Sequence, residues 1–162
     1  MTAAIDTAKV SGRRQVQFTT LDDMLADVDR LAQSKEVRAL GNWSSGQVLR
    51  HLTIVMNGSI DGQPPMMPAI MRLMIRLLAK RRFLNKPMAA GFQLPARAAA
   101  VLLPPETSWD EGVEEFRRAV QRLKTESARR PHPAIGPLSH EEWDRLHCRH
   151  AELHLSFLVP VD

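Results

Sequence analysis

Six of the 162 residues are histidines, and three of them, His147, His150 and His154, fall within eight positions. At about 100° per residue of helix these three sit within roughly 60° of one another around the axis. Trp143, Leu146, Leu153 and Phe157 share their stripe, so it faces the apolar side of the helix that carries it. His51 stands beside Val48, Leu52 and Val55 on an earlier helix, again on the inward side. Inward histidines on two different helices are what a metal site in a helical bundle is built from.

Spacing narrows the ligand set. His150 and His154 are one helical turn apart and can share one ion. His147 and His154 are separated by about 10.5 Å of helical rise, too far to share an ion comfortably. The economical site is therefore His51, His150 and His154, with His147 as a neighbour. Three neutral imidazoles suit a divalent transition metal such as zinc, nickel or iron, and three protein ligands leave a position open for water or substrate. The plainer alternative is a set of half-buried polar histidines bonded to carbonyls. Three on one face within eight residues, opposite an inward His51, favour the metal. His132, in a loop, and His140, in a first helical turn, read as surface residues.

Metal-assisted chemistry also needs a general acid or base within hydrogen-bond reach. Cys148 and Glu152 each lie about 160° from His150 around the helix, so both point away. His147 is the one nearby candidate acid or base. Cys148 reads as a packing or surface residue rather than a nucleophile.

The elements that must position these side chains announce themselves through their caps. Thr20 precedes Asp23 by three residues, Ser44 precedes Gln47, Ser108 precedes Glu111 and Ser139 precedes Glu142. These are capping-box spacings, in which a hydroxyl satisfies N–H groups left free in the first turn. The apolar periods agree, with Leu21, Met24, Leu25, Val28 and Leu31 on a first helix over 20–34, and Val48, Leu52 and Val55 on a second over 44–61. Trp109, Val113, Phe116, Val120 and Leu123 mark a third over 108–127, and the histidine helix spans 139–157. No stretch alternates cleanly with period two, so no sheet is expected and the fold class is all-α. Residues 1–18 show no periodicity and read as a flexible N-terminal arm; 19–162 form one helical domain.

The connector over 62–105 is far longer than the usual bundle loop of about 2–8 residues. Its apolar, basic stretch from Pro68 to Leu84 should form an extra helix, followed by an Ala-, Leu- and Pro-rich run. A connector of this length can carry the chain back along a bundle. The expected architecture is thus a four-helix bundle with a long crossover between the second and third helices, which then run parallel.

Composition bounds the rest. At 44% hydrophobic and 25% charged residues, the chain is globular and of single-domain size. One cysteine allows neither an intrachain disulfide nor a thiolate zinc ribbon. Aromatic content of 5% with no tyrosine argues against base-stacking nucleic-acid platforms. No signal-length or membrane-spanning apolar run is seen, so a cytoplasmic location is expected. The net charge of +4 is local: Arg72, Arg76, Lys80, Arg81, Arg82 and Lys86 lie together without an acid, and without them the chain is at 4 − 6 = −2. No nucleic-acid partner is expected, because no recognition motif accompanies this stripe. The apolar residues around the stripe point to a packed lid or a dimer contact rather than a membrane surface. Phosphate-cradling loops and a nucleophile elbow are absent.

The segment Trp43-Ser44-Ser45-Gly46-Gln47-Val48-Leu49-Arg50-His51-Leu52 resembles the W-S-x-x-x-x-L-x-H-L second-helix signature of the DinB/YfiT-like metal-binding superfamily. The run from His147 to Leu155 is similar to its final-helix His-x-x-x-His element. Gly136-Pro137-Leu138-Ser139 followed by Glu142-Trp143 looks like a branch of unknown function. The resemblance covers nearly the whole chain. It implies a DinB-like four-helix bundle with a crossover, commonly a homodimer, holding a divalent metal on His51, His150 and His154. Members of that superfamily include metal-dependent thiol transferases and isomerases that use low-molecular-weight thiols. The expected function is a metal-dependent hydrolase or low-molecular-weight thiol transferase acting on a small molecule. The long basic insertion departs from many relatives, so the substrate does not carry over. The competing reading is a non-enzymatic interaction module with structural histidines, its basic amphipathic helix serving as the partner or membrane surface.

Overall fold

In the computed structural model, residues 4–65, 67–91, 99 and 101–161 are described. The chain is mostly helical with a small two-stranded sheet. Its elements are α1 (Leu21–Leu31), β1 (Glu36–Ala39), α2 (Ser45–Asp61), α3 (Ala69–Leu78), α4 (Lys80–Asn85), α5 (Trp109–Thr125), α6 (His140–Leu155) and β2 (Leu158–Val161). Part of the Ala-, Leu- and Pro-rich run of the connector lies outside the described residues.

The caps form as their spacing predicts. Thr20, Ser44 and Ser139 each accept from the backbone N–H three residues on, and Asp23, Gln47 and Glu142 reach back to the cap N–H. Ser108 accepts from the Glu111 N–H. The acidic variant at Asp23 is a complete box, and its carboxylate also accepts from Thr19.

α2 and α5 run side by side in the same direction. At their N-terminal ends, a Cβ on Gly46 would overlap the backbone oxygens of Thr107 and Ser108. At their C-terminal ends, the Arg122 guanidinium donates to Asn57 and to Asp61. Parallel neighbours cannot be joined by a short turn, which is why the connector is long. α6 runs antiparallel to α2, since His147 meets Ser59 while the later His150 meets the earlier His51. The main core draws Met24 and Val28 from α1, Leu49 and Met56 from α2, Phe116 and Val120 from α5, and Ala151 and Leu155 from α6. A smaller cluster of Leu84, Ile135, Trp143 and Leu146 ties the connector to α6.

Four expectations change. First, a sheet exists: β1 pairs antiparallel with β2, Glu36 opposite Val161 and Ala39 opposite Leu158. Four-residue strands are too short to display an alternation, and their pairing joins opposite ends of the sequence. Second, the later part of the lead-in, at Arg14 and Phe18, is fastened to the helices. Arg14 forks onto Asp27 at 2.9 and 2.7 Å, and the Phe18 N–H donates to Glu152 at 2.7 Å, its ring 3% exposed in the core. Third, the connector helix breaks at Ala79 into α3 and α4, and most of the apolar face of α3 is left exposed: Ile70 is 66% and Leu77 70% exposed. Fourth, His132 is half-buried rather than on the surface. Its Nδ1 accepts from the N–H groups of Ala134 and Ile135, its ring lies 5.3 Å from Trp143, and burial pushes its pKa down to about 4. His140 is exposed. Among the described residues no helix is long and apolar enough to cross a membrane.

Candidate metal centre

α2 and α6 bring His51, His150 and His154 together. One ligating nitrogen from each lies within 4.8 Å of the other two, and His51 Nε2 is 3.3 Å from His150 Nε2. Two imidazole nitrogens on one tetrahedral ion at about 2.0–2.1 Å would stand about 3.3 Å apart. One pair of the donor set therefore stands at the spacing of two ligands on one ion. Three imidazole nitrogens this close form a group that could hold a metal ion.

The tautomer of His51 is set by the connector. Its Nδ1 lies 2.8 Å from the Leu102 carbonyl, so Nδ1–H donates there and Nε2 keeps its lone pair facing the other two rings. A carbonyl on the remote nitrogen is the usual way a ligating histidine is held in orientation. Leu102 is 51 residues further along the chain, and nothing in the sequence pairs it with His51.

Burial grades outward across the cluster. His51 is buried, while His150 and His154 are half-buried. Desolvation lowers the pKa of all three; for His150 the neighbouring His154 and His51 add to it, and for His154 so do His51 and Arg13. The rings are thus neutral at physiological pH, the form that ligates a metal. Trp43 forms a wall: its ring stacks on His154 at 5.7 Å and 14°, and lies 4.8 Å from His51. Sequence reading used Trp43 only as part of a resemblance, although its place just ahead of the Ser44 cap puts it at the same end of α2 as His51.

His147 stands apart from this cluster. It is 3% exposed, stacked on Trp143 at 5.2 Å, with Nε2 3.2 Å from Ser59 Oγ. The Ser59 hydroxyl donates to the Met56 carbonyl at 2.7 Å, so the His147 Nε2–H donates to Ser59. Burial pushes its pKa down to about 3. Cys148 packs in the core, 1% exposed, its thiol pushed up to about 12 by burial. Glu152 pairs with Arg149 and accepts from Phe18. Among the described residues, no carboxylate joins the three-histidine group.

Fold and site together define a mostly helical protein with a candidate three-histidine centre between an early and a late helix. By sequence the chain belongs to the family described as protein of unknown function DUF1569, whose pattern matches residues 10–161. Neither the curated proteins nor the solved structures contain a significant match.

Proposed function

We propose that the protein is a metal-dependent enzyme of DinB-like type, its four longer helices forming a crossover bundle around a divalent ion such as zinc, nickel or iron. The observation that carries the reading is the convergence of His51, His150 and His154 within 4.8 Å, with the Nδ1 of His51 already bound to a carbonyl. When bound, the ion acts as a Lewis acid and lowers the pKa of a coordinated water or thiol toward neutrality. His51 anchors it from the buried side, and His150 and His154 hold the rim. Trp43 closes one flank with an apolar plate that would order a small substrate and exclude water from it.

Hydrolysis and thiol transfer both fit the donor set. A three-histidine ion brings bound water to a pKa of about 7. A thiol begins near pKa 8.5 and needs only a modest shift to ionise at neutral pH. His147, with its Nε2–H on Ser59, positions α6 against α2 rather than moving a proton at the cluster.

Metal analysis of the purified protein tests the proposal. It expects about one equivalent of divalent metal, lost in His51→Ala and in His154→Ala. A folded, metal-free protein whose stability is unchanged in both variants would instead mark the histidines as polar core and the chain as an interaction module. With metal established, a screen of low-molecular-weight thiols against electrophiles assigns the reaction; silence across thiols with turnover of an ester or amide would move it to hydrolysis.

A further inference from the structure

α3 is mounted inside out. At about 100° per residue, Ile70, Met71, Leu73, Met74, Leu77 and Leu78 fill an arc of about 160°, and all six are between 49% and 76% exposed. Ile75, beyond the edge of that arc, is the residue that packs on the small cluster formed with Leu84 and Trp143. Arg72 also turns inward and lines a cleft with Arg130 and His132. Lys80, paired with Glu142 at 2.6 Å, clamps the junction with α4 onto α6. A helix held this way presents its apolar face outward by construction. Exposed apolar patches of this size mark interaction sites.

Charge identifies the occupant. From Gly62 to Pro105 the sequence contains no acid. Arg76, Arg81, Arg82 and Lys86 are exposed and make no ion pair among the described residues. Arg76 lies about 60° beyond the Leu73 edge of the apolar arc, the flanking position from which a long cationic side chain reaches headgroups while its stem follows the apolar surface. Apposing this face with the same face of a second copy would bring two acid-free, multiply basic segments together, a like-charge contact with nothing to neutralise it. An anionic bilayer supplies both partners at once, acyl chains for the apolar arc and phosphates for its cationic edge.

We infer that α3 and α4 form a membrane-docking surface, the α3 apolar arc lying in the interface of a bilayer rich in anionic lipid. At about 15 Å the helix lies in the headgroup plane and does not span it. Without the exposed Arg76, Arg81, Arg82 and Lys86 the chain is at 4 − 4 = 0, so this segment supplies the attraction to a negative surface and orients the docked protein. The inference stands on surface residues only and is independent of the metal proposal.

Co-sedimentation with vesicles tests it, using the full chain against phosphatidylcholine alone and against phosphatidylcholine with about a third phosphatidylglycerol. The expected result is binding at least about tenfold stronger to the anionic vesicles, weakened by high salt. The pair Leu73→Glu/Leu77→Glu and the pair Arg81→Glu/Arg82→Glu should each abolish it. All four positions are exposed, and unchanged circular dichroism confirms that the variants fold. Equal binding to both vesicle types, no binding to either, or binding that survives both pairs of substitutions overturns the inference. A wild-type dimer in lipid-free buffer that Leu73→Glu/Leu77→Glu splits overturns it too, and gives the face to a second copy.

Discussion

At the scale of single residues, the histidines divide by their partners. His51 turns one nitrogen to the Leu102 carbonyl and the other to His150, whereas His147 spends its proton on Ser59 and its ring face on Trp143. This difference has a measurable consequence in acid. With a folded pKa near 3 against an ordinary value of 6.5, the unfolded chain takes up the His147 proton first as pH falls. The stability associated with a neutral His147 is complete above about pH 6.5 and drains away down to about pH 3, at about 1.4 kcal/mol per pH unit. His147→Gln, which cannot titrate, should show a smaller loss of urea stability between about pH 7 and about pH 5 than the wild type. Identical losses in the two proteins would mean that the ring is not buried neutral. The sequence placed His147 on the right stripe and one turn before His150. Its assignment as an acid or base rested on that nearness, because the Ser59 hydroxyl that engages it is 88 residues away.

At the scale of elements, the close approach of α2 and α5 is the most exacting contact. Gly46 has the backbone of Thr107 and Ser108 where a side chain would be, and a Cβ at Gly112 would come within 3.0 Å of the Gly46 oxygen. Gly46→Ala should therefore destabilise the protein by about 1–3 kcal/mol, the cost of forcing atoms into a packed interface. Gly136→Ala separates two effects: no atom lies within 4 Å of its Cβ, but its φ is +85°, so its penalty is conformational alone, about 1 kcal/mol. Denaturant midpoints of the two variants should rank in that order. Helix starts were legible to within one residue because a cap and its N3 partner lie three positions apart. The strands were not, since β1 and β2 are defined only by each other.

At the scale of the whole molecule, the segment around Arg14 is locked onto α1 and onto the end of α6. Arg14 joins Asp27, the Leu155 carbonyl and the Leu158 carbonyl, so one guanidinium connects the lead-in, the first helix and the end of the histidine helix. Asp27 is nearly inaccessible, and its remaining cation, Arg30, is largely in solvent. Arg14→Ala should cost about 3 kcal/mol, because it leaves a buried carboxylate poorly compensated; a loss under about 0.5 kcal/mol would reduce the bridge to a surface pair. The proposed metal would act at the same scale. Ligand that binds only the folded state at about a thousand times its Kd adds about 4 kcal/mol. A chelator should thus lower the thermal midpoint of the wild type and leave His154→Ala where it is.

Several features that depend on neighbours along the chain could be read from the residues alone: the capped amphipathic helices, the confinement of positive charge to one segment, and the four inward histidines. Helical periodicity is a local property, and it places His51, His150 and His154 on apolar faces without any knowledge of where those faces meet. Folding decided the rest, because it rested on contacts between distant residues. The Leu102 carbonyl reached His51, Trp43 was laid against His154, residues 13–18 were drawn into the body, and α3 was turned with its apolar side outward. A periodic stripe specifies that a helix has an apolar face; only the packing of the other elements settles whether that face is covered.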